Sequence, residues 1–268
     1  MGAALKTIKR GESRFYVDPE TREKVPGVTS VIDMVPKNFL TFWAAKETAE
    51  WAADNLGAVV SLLLNGQRQA AVDTMKAAHR RTTGAAAETG TEVHVLFEKL
   101  ARGQRVGRQH PEMEPYVRHI NEFLDRYQPE FLFIEESVWS DQHKYAGSFD
   151  ALVRIEGETV MLDAKSTRSG VHPEVALQLS AYSHADRIVT QDGAHAELPT
   201  VDAGAVLHLR PEAWQLVPAR VDDDVFAYFL ILRQVFDWVR DVSGTVLGAP
   251  LYRSGETTGA ERRASRPA

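Results

Sequence analysis

Cysteine is absent from all 268 residues. That excludes a thiolate-held iron–sulfur cluster and fits a reducing compartment, where disulfides are rare. Also missing is any run of the roughly 18 apolar residues that a membrane-spanning helix needs. The opening stretch, MGAALKTIKRGESRF, lacks the apolar centre of a secretory signal. Together these absences point to the cytoplasm and away from the membrane. No internal repeat is apparent. Positive charge is not in excess either: 31 Lys and Arg against 37 Asp and Glu leave a net charge of −6. Such a balance is not the usual footprint of a nucleic-acid binder, so any grip on a polyanion must be local. The chain is long enough for one large domain or two small ones, with a substantial core.

What the chain does have is concentrated between Gly147 and Tyr182. Residues 147–155 and 159–166 alternate apolar and polar side chains, which predicts two strands. Glu156-Gly157 between them is a turn signal. A two-residue hairpin loop there pairs Ile155 with Glu158, and counting back sets Asp150 opposite Asp163. Directly opposed residues have Cβ atoms roughly 4.5–5.5 Å apart. The period of two then puts Ser148, Asp150, Asp163 and Lys165 on one face. Phe149, Ala151, Val153, Ile155, Val160, Leu162 and Ala164 fall on the other.

Two readings of this hairpin stand side by side. Like charges directly opposite one another destabilise a ladder, and a hard divalent cation, which prefers carboxylate and carbonyl oxygens, would remove the repulsion. Alternatively, the polar face is simply solvated, as in many antiparallel sheets, with Lys165 paired to either acid.

The order of motifs around the hairpin resembles the PD-(D/E)xK nuclease superfamily. Gly147-Ser148-Phe149-Asp150 is similar to its GxxD, Asp163-Ala164-Lys165 to its (D/E)xK, and Gln178 with Tyr182 to its QxxxY. His94, on a helical pattern upstream, matches the histidine of the RecB-like and Cas4-like exonuclease branch. The resemblance covers roughly residues 84–240. Residues 27–32 and 42–46 look like a helical region of actinophage members of that branch. With no cysteine, the likeness is to members without the iron–sulfur cluster.

The resemblance implies roles. His94, Asp150, Asp163 and the backbone carbonyl of Ala164 would bind Mg²⁺ or Mn²⁺, with Asp150, Asp163 and Lys165 as the catalytic set. Gln178 and Tyr182, four apart on one helix face, would contact DNA or order the site. Arg168, with His172 in the same loop, is a candidate phosphate contact. Glu98, one turn after His94, could hydrogen-bond the imidazole or simply face solvent. Local positive charge is offered by His79, Arg80 and Arg81, and by Arg102, Arg105, Arg108 and His110. Asp222, Asp223 and Asp224 read as the N-terminal cap of the last helix.

Periodicity predicts a hairpin over 13–17 and 24–28. Helices are expected near 29–35, 40–55, 56–64, 66–82, 86–102, 111–128, 173–187 and 222–242. The last carries an apolar stripe from Phe226 to Trp238 that reads as core. Strands are expected at 131–139, 145–155, 159–166, 203–209 and 214–220. The fold expected is α/β, a mixed central sheet flanked by helices (a restriction-endonuclease-like core by resemblance) with a helical N-terminal region. Its divisions are a disordered tail at 1–12, the helical region at 13–83, the core at 84–245 and a disordered tail at 246–268. The function expected is a metal-dependent DNA exonuclease of a phage or prophage, acting in recombination or processing within the host cytoplasm. The alternatives are an endonuclease of the same superfamily and a catalytically silent DNA-binding module. Besides DNA, a homo-oligomer or a recombination partner protein remains open.

Overall fold

The computed structural model describes residues 5–250, without the side chains of residues 38, 39, 80–83, 85 and 86. The tail expected at 246–268 is described only as far as residue 250; its remainder, and the side chains of Arg80 and Arg81, lie outside what is described. Three strands open the chain: β1 (Lys6–Arg10), β2 (Ser13–Val17) and β3 (Lys24–Pro26), paired antiparallel in that order. Then come α1 (Val28–Ile32), α2 (Asn38–Asp54), α3 (Leu56–Leu64), α4 (Arg68–Lys76), α5 (Ala78–Ala101) and α6 (Glu114–Tyr127). Next are β4 (Glu130–Ser140), β5 (Tyr145–Ile155), β6 (Glu158–Lys165), α7 (Glu174–Ser183), β7 (Arg187–Val189) and β8 (His195–Ala196). The chain continues through β9 (Ala203–Leu209), β10 (Trp214–Ala219) and α8 (Asp223–Asp237), which runs on into a π-helical turn, Trp238–Val242.

The fold is mixed α/β. Seven strands lie in the order β10-β9-β6-β5-β4-β7-β8, and the β6–β9 pair alone is parallel. A parallel pair needs a crossover, and α7 supplies it between β6 and β9. Helices cover both faces. On one, Val28, Leu179 and Phe229 of α1, α7 and α8 pack on Leu152, Met161 and Val206. On the other, Val93, Phe97 and Ile120 of α5 and α6 pack on Val153, Leu162 and Leu207. Each such side chain contributes roughly 1.5–3 kcal/mol by leaving water. The alternation in β5 and β6 therefore separates two cores rather than a core from solvent. The second reading of the hairpin, a solvated polar face, fails at Asp163, which is buried, although Ser148 and Arg154 are exposed and Lys165 does pair with Asp163. Phe149 also departs from expectation: it sits in the Leu152 core, not with Ala151, because the alternation breaks at Asp150.

Several boundaries moved. The tail expected over 1–12 contains β1, whose Lys6, Lys9 and Arg10 read as polar coil; they suit a charged edge strand, paired from Lys6↔Val17 to Arg10↔Ser13. The division at 83/84 falls inside α5, which runs unbroken through Gly84-Ala85-Ala86-Ala87. α1 is not part of a separate helical region, since Val28, Val31 and Ile32 are core residues. Arg187 ties the small sheet to the large one, reaching Asp18 at 3.1 Å and Asp141 at 2.9 Å. Of the stripe on α8, Phe229 and Phe236 are buried, but Trp238 lies past the last buried turn and is exposed. Asp222 caps α8 as expected, accepting the Val225 N–H at 3.2 Å. Among the described residues no helix is long and apolar enough to cross a membrane.

Candidate metal centre

The hairpin turns where the counting required. Ile155 pairs with Glu158, and Glu156 and Gly157 have φ of 50° and 91°, the two positive values of the tight turn that matches strand twist. Pairing runs back to Ala151↔Leu162 and stops one step short of Asp150 and Asp163. There the Asp150 carboxylate replaces the ladder, its Oδ2 accepting the Ala164 N–H at 2.7 Å. On the other side of β5, Ile134 pairs with Ala151 and Glu136 with Phe149, and the step between them, Glu135 against Asp150, is skipped. Glu135 has φ 55°. One rung of the sheet thus carries three carboxylates in a row: Glu135 on β4, Asp150 on β5 and Asp163 on β6.

Asp163 is 3% exposed. Lys165 Nζ donates to its Oδ1 at 2.9 Å, and Gln178 Nε2 donates to the same oxygen at 3.0 Å. Oδ2 is buried without a hydrogen bond, although Lys165 Nζ lies 2.8 Å from it, outside hydrogen-bonding geometry. Burial raises the Asp163 pKa, with the Lys165 charge opposing and Asp150 adding to the rise. Burial works against the Lys165 ammonium, but the two aspartates outweigh it and hold its pKa above the ordinary value. Gln178 Nε2 also donates to the Tyr182 hydroxyl at 3.2 Å. Tyr182 is buried in the core. It and Gln178 fix the Asp163 carboxylate, and its burial removes Tyr182 from direct contact with DNA. The ring also explains Gly147: a Cβ there would meet Tyr182 Cε1 at 2.5 Å and Val28 Cγ2 at 3.1 Å.

His94 reaches the rung from α5, its Nδ1 3.2 Å from Asp150 Oδ1. Burial lowers the imidazole pKa, but the bond to Asp150 and its charge prevail and raise it. Glu98 does not support His94; it faces Arg102 at 3.1 Å, an i,i+4 pair. Arg102, expected along a DNA path, also donates to the Ile134 carbonyl at 2.9 Å and so braces β4. Donor atoms of His94, Glu135 and Asp150 lie within 4.8 Å of one another, a spacing that could hold a metal ion. Burial raises the Glu135 pKa to about 7, helped by the Asp150 charge. Glu135 was missed in the sequence, yet a signal existed. Ser140↔Tyr145 closes the β4–β5 connection, and counting from it sets Glu135 opposite Asp150.

The remaining candidates lie apart from the rung. Arg168 is on the exposed loop after β6, and its charge acts on Tyr116 and Glu212. His79 packs edge-on against Trp43, with ring centroids 6.4 Å apart. Arg105, Arg108 and His110 are exposed and keep their candidacy as a polyanion path.

The donor set suits a hard divalent cation: carboxylate oxygens, one imidazole and a buried carboxylate oxygen with no hydrogen bond. It excludes a thiolate cluster, since the chain has no cysteine. No family model matches the chain, and no curated protein does. Among solved structures it is similar to "Crystal structure of SSO0001", at 12% identity over 57% of this chain and 88% of that one, with a TM-score of 0.31. A likeness that low carries no argument, so the functional reading rests on the rung itself.

Proposed function

We propose that the protein is a metal-dependent deoxyribonuclease, an exonuclease that hydrolyses phosphodiester bonds in phage- or prophage-type DNA processing in the host cytoplasm. The observation that carries this is the buried Asp163, paired with a half-buried Lys165 and set beside Asp150 and His94. A divalent cation bound by His94, Asp150, Asp163 and the Ala164 carbonyl would polarise the scissile phosphate and lower the pKa of water beside it. The chain's own groups supply the rest. Lys165, held cationic by two aspartates, is placed to orient the attacking water or to balance charge gathering on the phosphate. Gln178 and Tyr182 hold Asp163 in one orientation. The exonuclease, rather than endonuclease, form rests on the resemblance of the Gln178–Tyr182 motif.

The test is cleavage of linear, nicked, closed-circular and single-stranded DNA with Mg²⁺, Mn²⁺ or EDTA. Linear DNA should be degraded and closed circles spared, and Lys165→Ala should lose at least about 10²-fold in rate. Cutting of closed circles would replace the exonuclease with an endonuclease. No metal-dependent cleavage of any substrate, or full activity in Lys165→Ala, would overturn the proposal and leave a silent DNA-binding module.

A further inference from the structure

α8 is apolar on two faces, and the sheet covers one. Phe229 and Phe236 turn inward to the core. On the outer side Tyr228, Ile231, Val235, Trp238 and Val242 are 38–65% exposed. They recur at alternating steps of three and four residues, through α8 and the π-helical turn that continues it. That alternation is the period of a seam between two helices. A helix that is apolar all round is normally covered all round. With Val239 beside it, the stripe leaves on the order of 600 Å² of side-chain surface in water. One partner of a stable interface buries about 600–1,000 Å².

Charge is kept off the stripe. Between Val225 and Val239 the helix carries only Arg233 and Asp237, and they pair with each other. Arg240 turns back over the Phe236 ring and onto the Arg10 carbonyl. Asp222, Asp223 and Asp224 gather at the start of the helix. An anionic membrane would be repelled by that end and would find no basic rim on the stripe. Residues 251–268 offer only Leu251 and Tyr252 as large apolar side chains, too few to cover it.

We propose that the outer face of α8 is the seam of a homodimer, in which α8 of a second copy lies antiparallel across it about a two-fold axis at Val235. The stripe is self-complementary in that direction. The small Val242 falls opposite Tyr228, and Trp238 falls opposite Ile231, so bulk is shared along the seam. Packed parallel, Trp238 would meet Trp238. The two acidic triplets would also lie side by side, a like-charge contact that costs affinity. The antiparallel pairing separates them by the length of the helix. The inference stands apart from the nuclease reading, because the dimer is detected without metal or DNA.

The experiment measures the mass of the full-length protein in EDTA by sedimentation equilibrium. The wild type should have the mass of two chains. Ile231→Glu and Trp238→Glu should each weaken association at least about 10²-fold, since each would bury an unpaired charge in the seam, and should keep the wild type's far-ultraviolet circular dichroism. Leu64→Glu, at an exposed apolar position on α3, should stay dimeric. Direction is read by crosslinking, which has no background because the chain has no cysteine. A short bismaleimide should join Tyr228→Cys to Val242→Cys in a mixture and should not join Tyr228→Cys to itself. A monomeric wild type overturns the inference and leaves the stripe to a different protein. A dimer that Ile231→Glu and Trp238→Glu leave intact, or that Leu64→Glu takes apart, overturns it as well. Self-crosslinking of Tyr228→Cys, or no mixed product, overturns the antiparallel pairing.

Discussion

The β5–β6 hairpin has two ends, and they obey different rules. At the turn, Ile155↔Glu158 is regular, two positive φ values match the strand twist, and nothing beyond local chemistry is required. At the far end the ladder lapses on both sides of Asp150, side chains replace backbone partners, and three acids face one another. The turn end minimises local energy. The acid end holds unfavourable terms in place with groups from α5, α7 and β4. The contrast shows where the local rules lapse, and a lapse of this kind is what motivates the proposal of a site at the acid end.

The comparison can be broken first by pH. Glu135 is raised to about 7 and Asp163 to about 6, and His94 is raised as well. Between the unfolded and folded values the native state holds more protons than the unfolded chain, so stability falls as pH rises through that window. Asp18 is shifted the opposite way, to about 2, but its contribution is lost only as pH falls below its unfolded value, outside the window. Urea unfolding in EDTA should therefore show a loss on the order of 3 kcal/mol from pH 5 to pH 8. Mn²⁺ should reverse the trend, since it binds the deprotonated groups. A metal-free stability that is flat or rises with pH would mean that the acid end is not strained.

A smaller effect tests the packing behind that end. Gly147→Ala forces a methyl against the Tyr182 ring and Val28, an overpacking that should cost about 1–3 kcal/mol and weaken Mn²⁺ binding, because Tyr182 holds Gln178 and Gln178 holds Asp163. Unchanged binding in a destabilised protein would uncouple Tyr182 from the site. The smallest effect belongs to the turn. Gly157→Ala, at φ 91° with open space around it, should cost about 1 kcal/mol and leave Mn²⁺ binding as in the wild type. A loss of binding there would show that the two ends are not independent.

Much of this was legible in advance because it is local. The pairing of Ile155 with Glu158, the Glu156-Gly157 turn and the Asp222 cap each depend on neighbours a few positions away, and each stands as expected. The rest depended on residues distant in sequence. Glu98 could have faced His94 or Arg102 from the same helix, and Ile134 on β4, which also binds Arg102, favours the Arg102 arrangement. Tyr182 reads as a surface or a core residue on α7, and only the packing of α1 and β5 around it makes it core. The polar face of the hairpin looked solvated as readily as functional until helices were found on both sides of the sheet.

By itself the sequence determined the register of one hairpin as far as Ala151↔Leu162 and so the meeting of Asp150 with Asp163 one step beyond, because a tight turn fixes the pairing that follows it. The tertiary structure alone decided that this meeting is buried, that Glu135 joins it at a strained backbone position and that His94 closes it from α5. Those outcomes depend on which elements pack together and on which charges must share the space between them, and no local pattern carries that information.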